Sequence, residues 1–199
     1  MIRILLIRHG NTDLSGRVLY GRMPGVHLNP EGSRQAELLA QALKQRYAVD
    51  TIVSSPLERA LETARAIAES YELPVNLDSG INEIDVGNWI GRSFHELSES
   101  HDWKLFNRQR ATTWPPEGES LMEVQARAWR SIAALVERSP SGSTAAVITH
   151  GDVIRSILLL VLGISIDHIH RLEVAPASVT EISAGEHEPL VRCVNRVYY

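Results

Sequence analysis

Two stretches of the chain end alike, Leu6-Ile7-Arg8-His9-Gly10 and Val147-Ile148-Thr149-His150-Gly151. Short apolar runs that stop at polar residues and a glycine are typical of buried strands. In an open α/β sheet, ligands bind beyond the carboxyl ends of the strands. We therefore expect His9 and His150 to lie together at that edge of a sheet, where the glycine after each one lets the backbone approach a ligand closely.

Helix signals lie between these two stretches. Asn29 is a typical helix cap and Pro30 suits a first turn, so a helix is predicted from there to about Tyr47. Residues 55–58, Ser-Pro-Leu-Glu, have the pattern of a capping box that opens a second helix, with proline at its first position. This assignment places Arg59 in the first turn of the second helix.

The remaining segments complete an alternation of strands and helices. Apolar patterns predict strands at 51–53 and 74–77, helices at 119–138 and 152–162, a strand at 145–149, and edge strands at 171–174, 179–183 and 190–194. Alternation of this kind favours an α/β sandwich with a mainly parallel sheet. We expect residues 1–199 to form a single domain.

Residues 80–116 interrupt the alternation and are predicted to be an irregular insertion over the end of the sheet that holds the histidines. Three of the four tryptophans fall in this segment. Trp89, Trp103, Phe106 and Trp114 either wall a pocket or form the core of the insertion, and the sequence alone leaves both interpretations open.

Composition narrows the class of protein. The 199 residues include 20 Lys and Arg against 24 Asp and Glu, a net charge of −4, whereas proteins that bind nucleic acid generally carry a basic excess. Cys193 is the single cysteine, so no intramolecular disulfide can form. The longest purely apolar run, 157–162, is far shorter than the ~20 residues of a membrane span. We expect a soluble cytoplasmic protein that binds neither nucleic acid nor membrane.

Two arginines accompany the histidines. Arg8 precedes His9, and Arg59 lies just beyond the second strand, where its guanidinium is expected to point to the same edge of the sheet. Guanidinium groups match phosphate oxygens, and helix N-termini favour negative charge. Together with His150, these residues favour a phosphate-binding site over a set of solvated side chains.

Four motifs extend over most of the chain: residues 8–12 (Arg-His-Gly-Asn-Thr), 54–60 (Ser-Ser-Pro-Leu-Glu-Arg-Ala) with Thr63-Ala64, 82–89 (Asn-Glu-Ile-Asp-Val-Gly-Asn-Trp) and 149–151 (Thr-His-Gly). In order and spacing they resemble the histidine phosphatase superfamily, the phosphoglycerate mutase-like group that includes cofactor-dependent phosphoglycerate mutases and α-ribazole phosphatases. The resemblance implies a three-layer α/β/α sandwich. It also implies phosphoryl transfer through a phosphohistidine, with no metal and no cofactor.

The resemblance implies a role for each matched residue. The expected catalytic residues are the nucleophile His9, the proton donor and acceptor Glu83, and the phosphoryl-binding groups Arg8, Arg59 and His150. The expected substrate-binding residues are Asn11, Ser15, Gly21, Arg22 and Gly151, together with Arg8, Arg59 and His150. Without the resemblance, Glu83 would be interpreted as a carboxylate of a surface loop.

Departures from the family pattern bear on the reaction. Ser15 stands where the mutases usually have an asparagine that contacts phosphate, and Ile90 stands where many relatives have a glutamate. The chain also lacks the longer basic insertion with which the mutases hold a second phosphate. We therefore expect hydrolysis of a small phosphate monoester.

Two alternatives stay open. A phosphoglycerate mutase, which is an isomerase, would use the same residues but needs a second phosphate site. A non-catalytic module that binds a phosphorylated ligand would have lost one of the four central residues, and the sequence retains all of them: His9, Arg59, Glu83 and His150.

The expected partner is a small phosphorylated metabolite, and relatives suggest α-ribazole phosphate, phosphoserine, phosphoglycerates or sugar phosphates. A homodimer is compatible with the sequence. His168 and His170 fit a surface pair better than a metal site, because no third ligand at a recognisable spacing accompanies them.

Overall fold

The computed structural model describes residues 1–198. The strands are β1 (Ile2–Arg8), β2 (Thr51–Ser54), β3 (Val75–Leu77), β4 (Thr144–Thr149), β5 (Val179–Ala184) and β6 (Leu190–Arg196). Within the described residues, these six strands form one sheet in the order β3-β2-β4-β1-β5-β6. The strands from β3 to β1 are parallel, and β5 and β6 are antiparallel.

Helices cover both faces of the sheet. They are α1 (Pro30–Arg46), α2 (Glu58–Tyr71), α3 (Phe94–Ser98), α4 (His101–Arg108), α5 (Leu121–Arg138) and α6 (Gly151–Val161), with 3-10 turns at Ser79–Ile81, Gly87–Trp89 and Ile166–Arg171. No helix within residues 1–198 is both long and apolar enough to cross a bilayer.

The side chains of β1 explain the layers, because successive side chains of a strand point to opposite faces. Leu5 and Ile7 belong to the core that contains α1 and α2, whereas Ile4 and Leu6 belong to the core that contains α5 and α6. A strand covered on both faces becomes a continuous apolar run. The prediction of a three-layer α/β/α sandwich with a mainly parallel sheet is confirmed.

Residues 80–116 are more regular than expected. The prediction of an irregular segment is wrong, because α3 and α4 lie within it. Ser93 caps α3 in a capping box with Glu96, and Ser100 caps α4. The two helices have only five and eight residues, so neither is long enough to produce a clear apolar period in the sequence.

Two predictions for the C-terminal part are also wrong. Residues 171–174 are not a strand, since a 3-10 turn ends at Arg171 and no sheet partner follows among the described residues. Their alternating pattern arises because Leu172 and Val174 pack against the core beneath α6. The strand β5 is not an edge strand, because it lies between β1 and β6.

The structure confirms one of the two predicted helix caps. Asn29 does cap α1, and its side chain accepts a hydrogen bond from the Gly32 amide at 2.8 Å. The capping box at 55–58 is wrong, because α2 begins at Glu58 without a side-chain cap. The Ser55 hydroxyl has tertiary partners instead, the side chains of His150 and Asn82.

Candidate active site

The register of the sheet brings the two histidines together. Arg8 on β1 lies opposite Thr149 on β4, so the residue after each strand reaches the same point beyond the sheet. The rings of His9 and His150 lie edge to face with their centroids 5.3 Å apart, and both side chains are buried. The structure therefore places these histidines as the matching strand ends predicted.

The hydrogen bonds of His9 identify its tautomer. Nδ1 lies 2.7 Å from the carbonyl oxygen of Gly10, which only accepts, so Nδ1 carries the proton. Nε2 accepts a hydrogen bond from Arg59 Nε at 3.2 Å. Burial, and next the charges of Arg59 and Arg8, hold the pKa of His9 well below its ordinary value. The ring is therefore neutral near pH 7, with a lone pair on Nε2.

His150 has the opposite tautomer. Its Nδ1 accepts from Arg59 Nη2 at 3.2 Å, so its Nε2 donates to the Ser55 hydroxyl at 2.8 Å. Ser55 in turn donates to the Asn82 side-chain oxygen at 2.8 Å. Burial and the charge of Arg59 keep the pKa of His150 well below its ordinary value. The Ser55–Asn82 pair thus fixes the orientation of the His150 ring.

Arg59 connects both histidines from the first turn of α2. It is fully buried, and its Nη2 also donates to the Gly21 carbonyl at 2.7 Å. Its guanidinium lies 4.8 Å from the ring centroid of Tyr20. Among residues 1–198, none accepts a hydrogen bond from its Nη1. A buried guanidinium nitrogen without a protein partner indicates a place for an anion.

Arg8 supplies a second such nitrogen. Its Nη1 donates to the Val174 carbonyl at 2.6 Å, whereas its buried Nε has no acceptor in the described part of the chain. Gly151, the first residue of α6, lies beside it, and a Cβ there would come within 3.5 Å of Arg8 Nε. The glycine therefore leaves the helix N-terminus and Arg8 open to the same ligand.

Glu83 lies in the loop that follows β3 and lines the same cleft as Arg8. Burial, and next the negative charge of Asp152, raise the pKa of Glu83 to about 7, and the cations Arg59 and Arg8 offset only part of this effect. The carboxyl is therefore poised to hold or release a proton near neutral pH.

Two arginines hold the backbone of Glu83 in place. Arg22 Nε donates to the Glu83 carbonyl oxygen at 2.8 Å, and Arg127 Nη2 donates to it at 3.1 Å. Glu119 bridges the two arginines, at 2.8 Å from Arg22 and 2.7 Å from Arg127. We refer to Arg22, Glu119 and Arg127 as the clamp. It fixes the peptide that carries Glu83.

A second ionic group lies at the start of α6. Arg155 Nη1 is 3.0 Å from the Asp152 carboxylate, and its Nε donates to the Leu172 carbonyl at 2.9 Å. Burial opposes ionisation of Asp152, but the charges of Arg110 and Arg155 outweigh it and hold its pKa below the ordinary value. Asp152 is thus a carboxylate anion paired with arginines.

These groups meet in a cleft of about 570 Å³ that is open to solvent. His9, Arg59 and His150 are buried and do not line the cleft itself, whereas the residues that line it come from the sheet edge, the surrounding loops and the starts of α3 and α6. The cleft is lined by Arg8, Gly16, Val18, Leu19, Tyr20, Gly21, Glu83, Ile84, Val86, Phe94, Gly151, Asp152 and Arg155.

Three residues predicted to bind substrate have other contacts. The backbone N–H of Asn11 donates to the side-chain oxygen of Gln35, and the Ser15 hydroxyl bonds to Thr12. Neither Asn11 nor Ser15 lines the cleft. Arg22 is occupied in the clamp. Gly21, in contrast, lines the cleft, and its φ of +41° turns its carbonyl to Arg59.

The aromatic residues of the insertion form its core. Trp89, Trp103 and Phe106 pack edge to face or tilted with centroids 5.3–6.1 Å apart. Trp114 is exposed, and the aromatic residue that reaches the cleft from this segment is Phe94.

No group of three or more His, Cys, Asp and Glu within residues 1–198 is arranged to hold a metal ion. His170 lies 3.0 Å from Arg110 Nη2 and 3.1 Å from the side-chain oxygen of Asn107. Its neighbours are thus a cation and an amide rather than other metal ligands.

Several site residues were missed by the sequence interpretation: Tyr20, Ser55, Asp152 and Arg155. Asp152 directly follows Gly151 and Arg155 lies three residues further on, which is a usable signal, because residues three apart on a helix are neighbours. Tyr20 and Ser55 reach the site through tertiary contacts that no local pattern encodes.

Comparison with known proteins connects this geometry to a family. Residues 4–197 match the family described as the histidine phosphatase superfamily (branch 1). The bifunctional protein Rv2228c of Mycobacterium tuberculosis is 35% identical over 99% of this chain, which covers 54% of that protein. The chain therefore spans about half the length of the first curated relatives it matches.

Two phosphatases match over nearly their whole length. Phosphoserine phosphatase 1 of Hydrogenobacter thermophilus is 28% identical over 98% of this chain and 92% of its own. The structure of mycobacterial glucosyl-3-phosphoglycerate phosphatase Rv2419c in complex with VO3 has a TM-score of 0.88 and 29% identity, and the match covers 97% of this chain and 98% of that one.

Proposed function

This chain belongs to the histidine phosphatase superfamily (branch 1), and on that premise we propose that it hydrolyses phosphate monoesters by way of a phosphohistidine at His9. One observation carries the proposal. His9 Nε2 is unprotonated and lies 3.2 Å from Arg59 Nε. Beside it, buried nitrogens of Arg59 and Arg8 lack acceptors within residues 1–198. A neutral nucleophile beside guanidinium groups suits attack on an anionic phosphoryl group.

In the first step, Arg59 Nε exchanges its hydrogen bond with His9 Nε2 for one to a phosphoryl oxygen, the freed lone pair of Nε2 attacks phosphorus, and the bond from phosphorus to the ester oxygen breaks. Arg8, Arg59 and His150 hold the other oxygens, where charge must be stabilised during transfer. Glu83 gives its proton to the departing oxygen, so the alcohol leaves neutral. The Nδ1 hydrogen bond to the Gly10 carbonyl stabilises the positive charge that develops on the His9 ring.

In the second step, the ionised Glu83 takes a proton from water as the water oxygen attacks phosphorus. The bond from phosphorus to Nε2 breaks, inorganic phosphate leaves, and both His9 and Glu83 return to their starting states. A carboxyl whose pKa is raised to about 7 serves both steps near neutral pH, because it is neither always protonated nor always ionised.

The names of the relatives support a broad class of substrate. Two of them are named for phosphoserine and for glucosyl-3-phosphoglycerate, which supports a small phosphorylated metabolite as the substrate of this chain. A hydrolase is favoured over a mutase by these names. A mutase would convert 3-phosphoglycerate with trace bisphosphoglycerate to 2-phosphoglycerate, whereas we expect free phosphate and no isomer.

Hydrolysis of nitrophenyl phosphate tests the proposal. We expect turnover without added metal, because the anion site consists of guanidinium and imidazole groups. An exposed pair, Glu31 and Arg34, provides a matched control: Arg34→Gln should keep full activity, while Arg59→Gln should lose at least ~10²-fold. Activity that a chelator abolishes and magnesium restores would overturn the proposal.

A further inference from the structure

The cleft beside the phosphate site has two kinds of wall. The sheet edge and α6 contribute charged groups, namely Arg8, Asp152 and Arg155, and Glu83 adds its carboxyl. The loops and the first residue of α3 contribute a different set, which we call the apolar wall and which is apolar apart from one phenol group: Val18, Leu19, Tyr20, Ile84, Val86 and Phe94.

The charged groups are matched among themselves and with phosphate. Arg155 is paired with Asp152 at 3.0 Å, and the charge of Arg110 also stabilises this carboxylate. Buried nitrogens of Arg8, Arg59 and Arg110 lack acceptors within residues 1–198, but Arg110 does not line the cleft. Arg8 and Arg59, the two cations beside His9, match the dianion of a phosphate monoester. The remaining cation that lines the cleft, Arg155, is already paired with Asp152, so a second anionic group on the substrate would find no unpaired cation among the lining residues.

The apolar wall is preformed by backbone pairing of two loops. The Leu19 amide donates to the Arg92 carbonyl at 2.9 Å, and the Gly91 amide donates to the Leu19 carbonyl at 2.9 Å. The Phe94 amide donates to the Arg17 carbonyl at 3.1 Å. These bonds tie the loop after β1 to the insertion, so the apolar side chains of both segments are held at the cleft without a ligand.

We propose that this apolar wall binds the alcohol part of the substrate, so that the enzyme prefers phosphate monoesters of uncharged, apolar alcohols. The inference rests on the proposed function for the position of the phosphate, and it adds the class of alcohol. An apolar group leaves water on binding here, and the gain in affinity grows with the apolar area that is buried.

A series of n-alkylphosphonates from ethyl to hexyl tests the apolar wall by binding alone. These compounds keep the phosphate-like head and are not hydrolysed, so isothermal titration reports affinity whether or not the protein turns over. We expect the affinity to rise roughly two- to fourfold per added methylene. An affinity that does not change along the series overturns the inference.

Two variants of residues in the apolar wall test whether it causes the rise in affinity with alkyl chain length. Val18→Thr is nearly isosteric but adds a hydroxyl, and Phe94→Ala removes an aromatic surface. Each should reduce the ratio of hexyl to ethyl affinity at least about threefold, while the same change at an exposed valine, Val197→Thr, should leave the ratio unchanged. An unchanged ratio in both cleft variants contradicts the assignment of the wall.

A charged analogue tests the alternative in which Arg155 binds a carboxylate of the substrate. We compare 3-phosphonopropionate, which ends in a carboxylate, with butylphosphonate, and expect the apolar compound to bind more tightly. Tighter binding of the carboxylate by about tenfold overturns the inference. Rising affinity along the alkyl series without hydrolysis of the matching alkyl phosphates would instead sustain the apolar wall and contradict the proposed function.

Discussion

Among single residues, burial shifts the pKa values of two groups in opposite directions: His9, which carries the phosphoryl group, and Glu83, which transfers the proton. It lowers the pKa of His9 and raises that of Glu83 to about 7. The phosphorylation step needs neutral His9 and protonated Glu83. Its rate should therefore level off about one pH unit below 7 and approach a tenfold fall per pH unit above 7, which single-turnover kinetics on an alkyl phosphate would measure.

Asp152 is the neighbour that tests this explanation. Its negative charge raises the pKa of Glu83, so Asp152→Asn should lower that pKa. The falling limb, meaning the part of the pH profile where the phosphorylation rate decreases, should then move to lower pH. The control Asp102→Asn, at an exposed site on α4, should not move it. A limb that stays in place or moves to higher pH in Asp152→Asn would show that another group titrates.

The role of Glu83 as general acid predicts a dependence on the leaving group. Nitrophenolate leaves without a proton, whereas an alkoxide needs one, so Glu83→Gln should slow phosphorylation by an alkyl phosphate ~10²–10⁴-fold and by nitrophenyl phosphate far less. Burst measurements of each substrate give the step directly. If both substrates lose rate equally in this step, Glu83 is not the acid, and Asp85 becomes the next candidate.

At the scale of structural elements, the clamp explains how a loop carboxylate acquires a fixed position. Glu119 precedes α5 and bridges Arg22 and Arg127, which both hold the Glu83 carbonyl. We predict that Glu119→Gln lowers activity on alkyl phosphates at least about tenfold, because removing the carboxylate from this partly buried charge network leaves both arginines without their shared partner.

The measurements on Glu119→Gln must separate loss of the position of Glu83 from general damage to the protein. Inhibition by inorganic phosphate depends on the anion site formed by Arg8 and Arg59, so its Ki should stay within about twofold in Glu119→Gln, while nitrophenyl phosphate loses less activity than alkyl phosphates. Glu31→Gln, which breaks the exposed pair with Arg34, serves as the control and should change neither quantity. Equal loss on both substrates would contradict a positioning role.

The elements also show what the sequence could predict. The ends of β1 and β4 were predictable because a buried strand and its first polar residue are adjacent in the chain, and so the positions of His9 and His150 followed. The capping pattern at Ser55 misled because tertiary contacts with His150 and Asn82 compete with a local cap for the same hydroxyl. The clamp joins residues up to about a hundred positions apart, and no local signal encodes such a contact.

At the scale of the whole molecule, the sheet supports the site from within a core on each face. Leu6 is fully buried in the core with α5 and α6, two residues before Arg8. Leu6→Ala should lower the free energy of unfolding by ~2–5 kcal/mol, whereas Leu160→Ala, on the exposed face of α6, should lower it by less than ~1 kcal/mol. Urea denaturation of both variants measures the difference.

The covalent intermediate at His9 is the central step of the proposed reaction. The decisive measurement is a rapid quench into alkali, where phosphohistidine survives, after mixing the protein with a monoester labelled in its phosphoryl group. We predict label on the wild-type protein within one turnover, the same amount in the exposed-site control His101→Ala, and none in His9→Ala. Label retained by His9→Ala would show that another residue carries the phosphoryl group.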